Sequence, residues 1–123
     1  MKTKRQKFGE QGEALAVQLL KKAGYKIIET NYRTPLGEVD IIARDRDTIV
    51  FVEVKTRSSV HFGSPKWAVT PTKQRKISMV ALAFLKATGQ STARARFDVV
   101  AVISNRDAPH VEIIKNAFEL AYE

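Results

Sequence analysis

The chain is predicted to be an α/β domain with a restriction-endonuclease-like element order, αβββαβ, followed by one more strand and helix, its mixed sheet flanked by helices. Three observations predict that order. Residues 8–23 repeat apolar side chains at helical spacing, residues 37–57 form two Val- and Ile-rich runs about a short polar turn, and residues 71–87 return to helical spacing. Two more strand-like runs follow, at 96–103 and 110–115. Helices packed on a mixed sheet bury both partners in a shared core. A length of 123 residues suits one domain over 1–123, large enough to hold such a core without staples.

In the first helix Leu15, Leu19 and Ala23 fall four apart, Lys21 and Lys22 complement the C-terminus, and Gly24 is placed to cap it. Met1 to Lys7 precede it as a basic, disorder-prone tail. Glu13 shares a side with Ala16, Val17 and Leu20, near the edge of the buried stripe. There it either reaches a metal or a bound water, or simply answers the helix dipole. Tyr25–Tyr32 reads as a strand and Thr34–Gly37 as a turn.

The hairpin that follows holds the informative residues. Pairing Arg44 with Ile49, or Asp45 with Thr48, gives one and the same register around Arg46-Asp47. It sets Asp40 opposite Glu53, with β-carbons roughly 5 Å apart. Alternation adds Glu38 and Lys55 to that face and leaves Val39, Ile41, Ala43, Val50, Val52 and Val54 on the other. One face is expected to be dry and the other charged. A slip of one residue would send one of the two acids to the opposite side.

Residues 58–69 are too irregular for a strand and hold Trp67 and His61. Trp67 reads as an anchor in an apolar seam or a dimer contact ahead of a base-stacking platform. Thr70 fits the N-cap of a second helix and Pro71 its first position, Gly89 ends it after about Ala87, and Ile77, Val80, Ala81, Phe84 and Leu85 form its apolar face. Asp98 reads as a structural strand acid paired with Arg94 or Arg96. Residues 104–109 form a polar turn, and residues 116–123 close the chain as a short helix. His61 and His110 lack metal-ligand spacing.

Two carboxylates a few ångströms apart repel, and one takes up a proton unless a cation lies between them. Mg²⁺ or Mn²⁺, bound by oxygen and retaining water, suits such a pair beside a phosphate. Lys55 is then placed to stabilise the charge of a five-coordinate phosphorus or to orient an attacking water. Asp40, Glu53 and Lys55 thus suit phosphodiester hydrolysis. The bland alternative is a solvated salt-bridge cluster on an exposed sheet.

The Asp…Glu-x-Lys set on a hairpin resembles the PD-(D/E)xK nuclease superfamily, which includes restriction endonucleases and Holliday junction resolvases. More closely, Gly12-Glu13 in the first helix, then NYRTPLGEVDIIA, VFVEVKTR, FGSPKWAV and RFDVV in order, resemble the uncharacterised bacterial YraN-like family. The resemblance implies a restriction-endonuclease-like fold. It also implies Asp40 and Glu53 as metal ligands, the Val54 carbonyl as a further oxygen, Lys55 as the catalytic lysine and Glu13 as an outer acid. Val39 stands where the superfamily often has proline. The likeness to resolvases points to structured or branched DNA as substrate and leaves room for a homodimer.

A net charge of +8 favours a polyanion, of which nucleic acid, here DNA, is the commonest. Basic residues gather at 1–7, 55–57, 73–76 and 93–96, so Arg57, Lys73, Arg75 and Lys76 are candidate phosphate contacts. For Lys73 a solvated position in the first helical turn is the plainer reading, and a reach toward the carboxylates the sharper one. Zero cysteines exclude disulfides, zinc-thiolate sites and thiol catalysis. No apolar run approaches membrane-spanning length, so a cytoplasmic protein is expected, without a membrane partner. The alternative to a nuclease is a catalytically silent nucleic-acid-binding or protein-interaction module of the same fold.

Overall fold

The computed structural model describes residues 1–57, 69–103 and 110–120, apart from the side chains of residues 4, 5 and 8. Helix α1 spans Lys4–Lys22. It begins four residues ahead of the expected start because Thr3 and Gln6 form a reciprocal capping box, the Thr3 hydroxyl accepting from the Gln6 N–H at 3.1 Å. That cap lies within the basic run read as a tail. The helix ends as expected. Gly24 takes φ +96, its N–H donates to the Lys21 carbonyl, and the Tyr25 N–H donates to the Leu20 carbonyl, which satisfies the last turn. The centre of the buried stripe is Gly12, Ala16 and Leu20, with Leu15 and Leu19 only partly covered.

Strands β1 (Lys26–Thr34), β2 (Gly37–Asp45) and β3 (Thr48–Arg57) form an antiparallel meander. Helix α2 (Pro71–Ala87) then crosses over to β4 (Arg94–Ile103), which runs parallel to β3, and β5 (His110–Phe118) returns antiparallel. Sheet order follows chain order, β1-β2-β3-β4-β5. The αβββαβ order with an extra strand is therefore present. Thr70 caps α2 by accepting from the Lys73 N–H at 3.2 Å, Pro71 opens it, and the expected apolar face is buried. No described helix is long and apolar enough to cross a membrane.

Two expectations are corrected. Residues 116–118 do not begin a closing helix, for they extend β5, where Phe118 pairs with Phe97 and stacks on it at 4.8 Å between ring centroids. Pairing with β4 overrides a locally helical composition. Nor does the sheet have one dry and one charged face. Ile41, Ala43, Val50 and Val52 pack under α1 with Ala16 and Leu20, while Ile42, Ile49 and Phe51, on the face of Glu53, pack under α2 with Ile77, Val80 and Phe84. The crossover helix covers that face. The charged residues are confined to the strand ends beyond it. Val39 also changes sides, joining Ile42 in the α2 core.

The segment holding His61 and Trp67 and the turn at 104–109 lie outside the described residues.

Candidate metal and phosphate site

The hairpin register expected from the sequence is present. Asp45 pairs with Thr48, Arg44 with Ile49, and the ladder continues to Ile41 with Val52. There it stops, one step short of Asp40 and Glu53. Instead of a backbone partner, the Val54 N–H donates to Asp40 Oδ2 at 2.8 Å. A strand residue's N–H and C=O point to the same side, so the Val54 carbonyl also faces the place where the β2 ladder has ended. At this step the Asp40 carboxylate fills the gap.

Glu53 is 6% exposed, and its carboxyl lies close enough to that of Asp40 to feel its charge. Burial first, then the charge of Asp40, raise its pKa to about 7, against the opposing pull of Lys73 and Lys55. Lys73 Nζ lies 3.4 Å from Glu53 Oε1. The sharper reading of Lys73 is the observed one, because the first turn of α2 starts over the end of β3. Lys55 is half-buried two residues beyond Glu53, near enough for its charge to act on that carboxyl. Glu13, half-buried on α1, approaches Asp40 from the other side. Burial and then the Asp40 charge raise its pKa, while a hydrogen bond from the Asn31 side chain lowers it.

Asp40 thus stands between Glu13 and Glu53. A cleft of about 590 Å³ opens beside it, lined by Glu13, Asn31, Arg33, Glu38, Glu10 and Lys2 among others. Its cations are engaged already, Arg33 with Glu38 at 3.1 Å and Lys2 with Glu10 at 2.7 Å. A phosphate placed there would meet unneutralised carboxylates, a repulsion that a divalent cation would cancel.

The donor set fits such a cation in kind. Two carboxylates and a backbone carbonyl are all hard oxygens, and Mg²⁺ commonly takes one or two carboxylates and completes its shell with water and phosphate. Among the described residues no three acidic or histidine side chains come close enough to hold an ion by themselves.

The other proposed phosphate contacts spread over α2 and the end of β3. Arg57 is exposed and bonds to the Thr56 carbonyl, Arg75 is half-buried and bonds to Thr72 Oγ1, and Lys76 is exposed, its stem beside Gly37. They share one end of the molecule with Lys73 rather than converging on one point.

Sequence reasoning missed Asn31 and Gly12. Asn31 adopts φ +51 within β1, and the signal was available, since Asn is uncommon in strands and tolerates that region. Gly12 lets α1 approach β3 closely, for a β-carbon there would meet Thr56 Oγ1 at 2.7 Å. Asp98 is structural, as expected: fully buried, it accepts from Arg96 Nε at 2.9 Å, from Tyr25 Oη at 2.9 Å and from the Asn116 N–H at 3.0 Å.

A family model described as the uncharacterised protein family UPF0102 matches residues 12–102, a span that includes Glu13, Asp40, Glu53, Lys55 and Lys73. A UPF0102 protein of Desulfosudis oleivorans is 55% identical over 119 residues, 97% of this chain and 95% of its own. One of Geobacter metallireducens is 54% identical over 115 residues, covering 94% of each. One of Caldicellulosiruptor saccharolyticus is 48% identical over 116 residues, 93% of this chain and 98% of its own.

Proposed function

The chain belongs to the uncharacterised protein family UPF0102, and within it we propose a divalent-metal-dependent nuclease-like protein that binds DNA and hydrolyses phosphodiester bonds. The observation that carries this reading is the buried Glu53 carboxyl beside Asp40, whose own carboxylate accepts from the Val54 N–H where the β2–β3 ladder ends. Placing two acids side by side at a largely buried strand end costs stability, and a cation between them would offset that cost. Asp40, Glu53 and the Val54 carbonyl would hold Mg²⁺ or Mn²⁺. The ion supplies Lewis acidity at a phosphoryl oxygen and acidifies water.

The remaining roles belong to the chain. Lys55, on the strand that carries Glu53, orients the attacking water and offsets charge growing on phosphorus. Lys73 is held by Glu53 without a cation and is released toward phosphate when the carboxylate is engaged. Glu13 accepts a proton or a hydrogen bond from water at the cleft side of Asp40. Arg57, Arg75 and Lys76 extend the positive field along the DNA backbone. By its resemblance to resolvases, the substrate is structured or branched DNA and the active form a homodimer.

One observation favours a second reading, the silent DNA-binding module. The Lys73–Glu53 pair can itself neutralise the site. At 3.4 Å, with the lysine 42% exposed, it is a loose pair that a cation can displace. Labelled linear, flapped and four-way-junction DNA, incubated with Mg²⁺ or Mn²⁺, separates the readings. Metal-dependent cleavage by the wild type, lost in Asp40→Asn and Lys55→Ala, is the expected result. Binding without cleavage would establish the silent module instead.

A further inference from the structure

Positive charge gathers at both ends of the sheet, and not only around the carboxylates. At the other end of the sheet, where α1 ends and the β2–β3 turn lies, Asp45, Asp47 and Asp98 are bonded to Arg96, Arg94 and Lys115. Lys21, Lys22, Lys26 and Arg46 stand beyond those pairs, exposed, each with no acidic oxygen within 4 Å among the described residues. Arg46 lines a cleft at this end, and the three lysines flank it along the chain, Lys21 and Lys22 just before Ala23 and Lys26 just after Tyr25. Ala23 and Gly24, which follow Lys22, line the same cleft of about 570 Å³ as Arg46, Arg96 and Lys115.

Arg46 adds an independent observation. It opens the two-residue turn with φ +58, a backbone position where glycine is at ease and an arginine is strained. A strained position that carries an exposed guanidinium, more than 4 Å from every described acidic oxygen although its charge still acts on Asp45, points to a use for that charge.

We propose that this pole is a second phosphate-backbone contact for duplex DNA, separate from the candidate metal centre. The proposal rests on the reading of the protein as DNA-binding, and not on cleavage. Glu53 lies five residues along β3 from Thr48, so the pole sits roughly 17 Å along the strand from the carboxylates. The cleft lining includes no large apolar side chain to enter a lipid layer, and its two acids, Asp45 and Asp47, are already paired with Arg96, Lys115 and Arg94, so a nucleic-acid backbone is the polyanion that the unpaired cations around it fit.

The test measures binding of a labelled duplex of about 30 base pairs across a salt series without divalent metal. It compares the wild type, a triple variant Lys21→Ala, Lys22→Ala, Arg46→Gly, and a second variant Lys73→Ala, Lys76→Ala. The triple variant is expected to bind at least tenfold more weakly, with a log K against log salt slope shallower by about 0.9 for each phosphate it no longer neutralises. Arg46→Gly alone should melt no lower than the wild type, and the triple variant should keep any Mn²⁺-induced thermal shift. An unchanged slope and affinity in the triple variant overturns the proposal. If Lys73→Ala, Lys76→Ala then weakens binding, the DNA reading survives without this pole. A wild type that binds anionic phosphatidylglycerol vesicles but no duplex overturns both.

Discussion

Glu53 keeps its proton to about pH 7 because burial and the Asp40 charge both penalise the carboxylate. Its folded pKa lies above the ordinary 4.5, so the stability it contributes is complete below about pH 4.5 and is lost as pH rises through about 7. Metal-free protein should therefore melt at lower temperature as pH is raised from 5 to 8, over and above other groups. Glu53→Gln keeps the shape without the charge. It should flatten that dependence and melt several degrees higher than the wild type at pH 8, as followed by circular dichroism. At this scale the sequence was informative about the register from Asp45–Thr48 to Ile41–Val52, which follows from a two-residue turn, but not about Asp40, where the ladder stops and alternation breaks at Val39. It offered the contact of Lys73 with Glu53 only as the sharper of two readings, because which one holds depends on where α2 starts over the sheet.

At the scale of elements, two aspartates act alike. Asp40 takes the Val54 N–H where the β2–β3 ladder ends, and Asp98 takes the Asn116 N–H where the β4–β5 register shifts between Phe97 and Val99. Each side chain stands in for a missing ladder bond. Asp98 also holds Arg96 and Tyr25, whose hydroxyl pKa is pushed up to about 12 by burial and by the bond to Asp98. Asp98→Ala would leave the Tyr25 hydroxyl and the Asn116 N–H without their acceptor, while Arg96 keeps Asp45. Urea unfolding should show a loss of about 1–3 kcal/mol for each buried donor left unpaired. The caps of both helix C-termini and of α2's start were legible, since glycine, Thr-Pro and lysine runs act locally. The start of α1 was not, because a capping box inside a basic run looks like a tail. The end of β5 was not, because its strand conformation comes from Phe97 across the sheet and not from its own residues.

At the scale of the molecule, topology decides what alternation along one hairpin cannot. The α2 crossover between parallel β3 and β4 places a helix on the face opposite α1, so both faces of the hairpin become core and the charged residues are left at its two ends. One end holds the carboxylates, and the other holds Arg46 and the lysines around the end of α1. No periodicity along a single strand encodes that division. The family relationship, by contrast, was legible from ordered blocks spread over most of the chain, and it survives comparison with relatives 48% to 55% identical.

Asp40 and Glu53 are proposed as the place for a divalent cation. Asp40→Asn keeps an oxygen to accept the Val54 N–H while removing the charge. Melting temperature is to be measured against Mn²⁺ concentration near pH 7.5 for the wild type and this variant. The account predicts a rising, saturating shift in the wild type and none in Asp40→Asn. No shift in the wild type at millimolar ion, or an equal shift in both proteins, would contradict it.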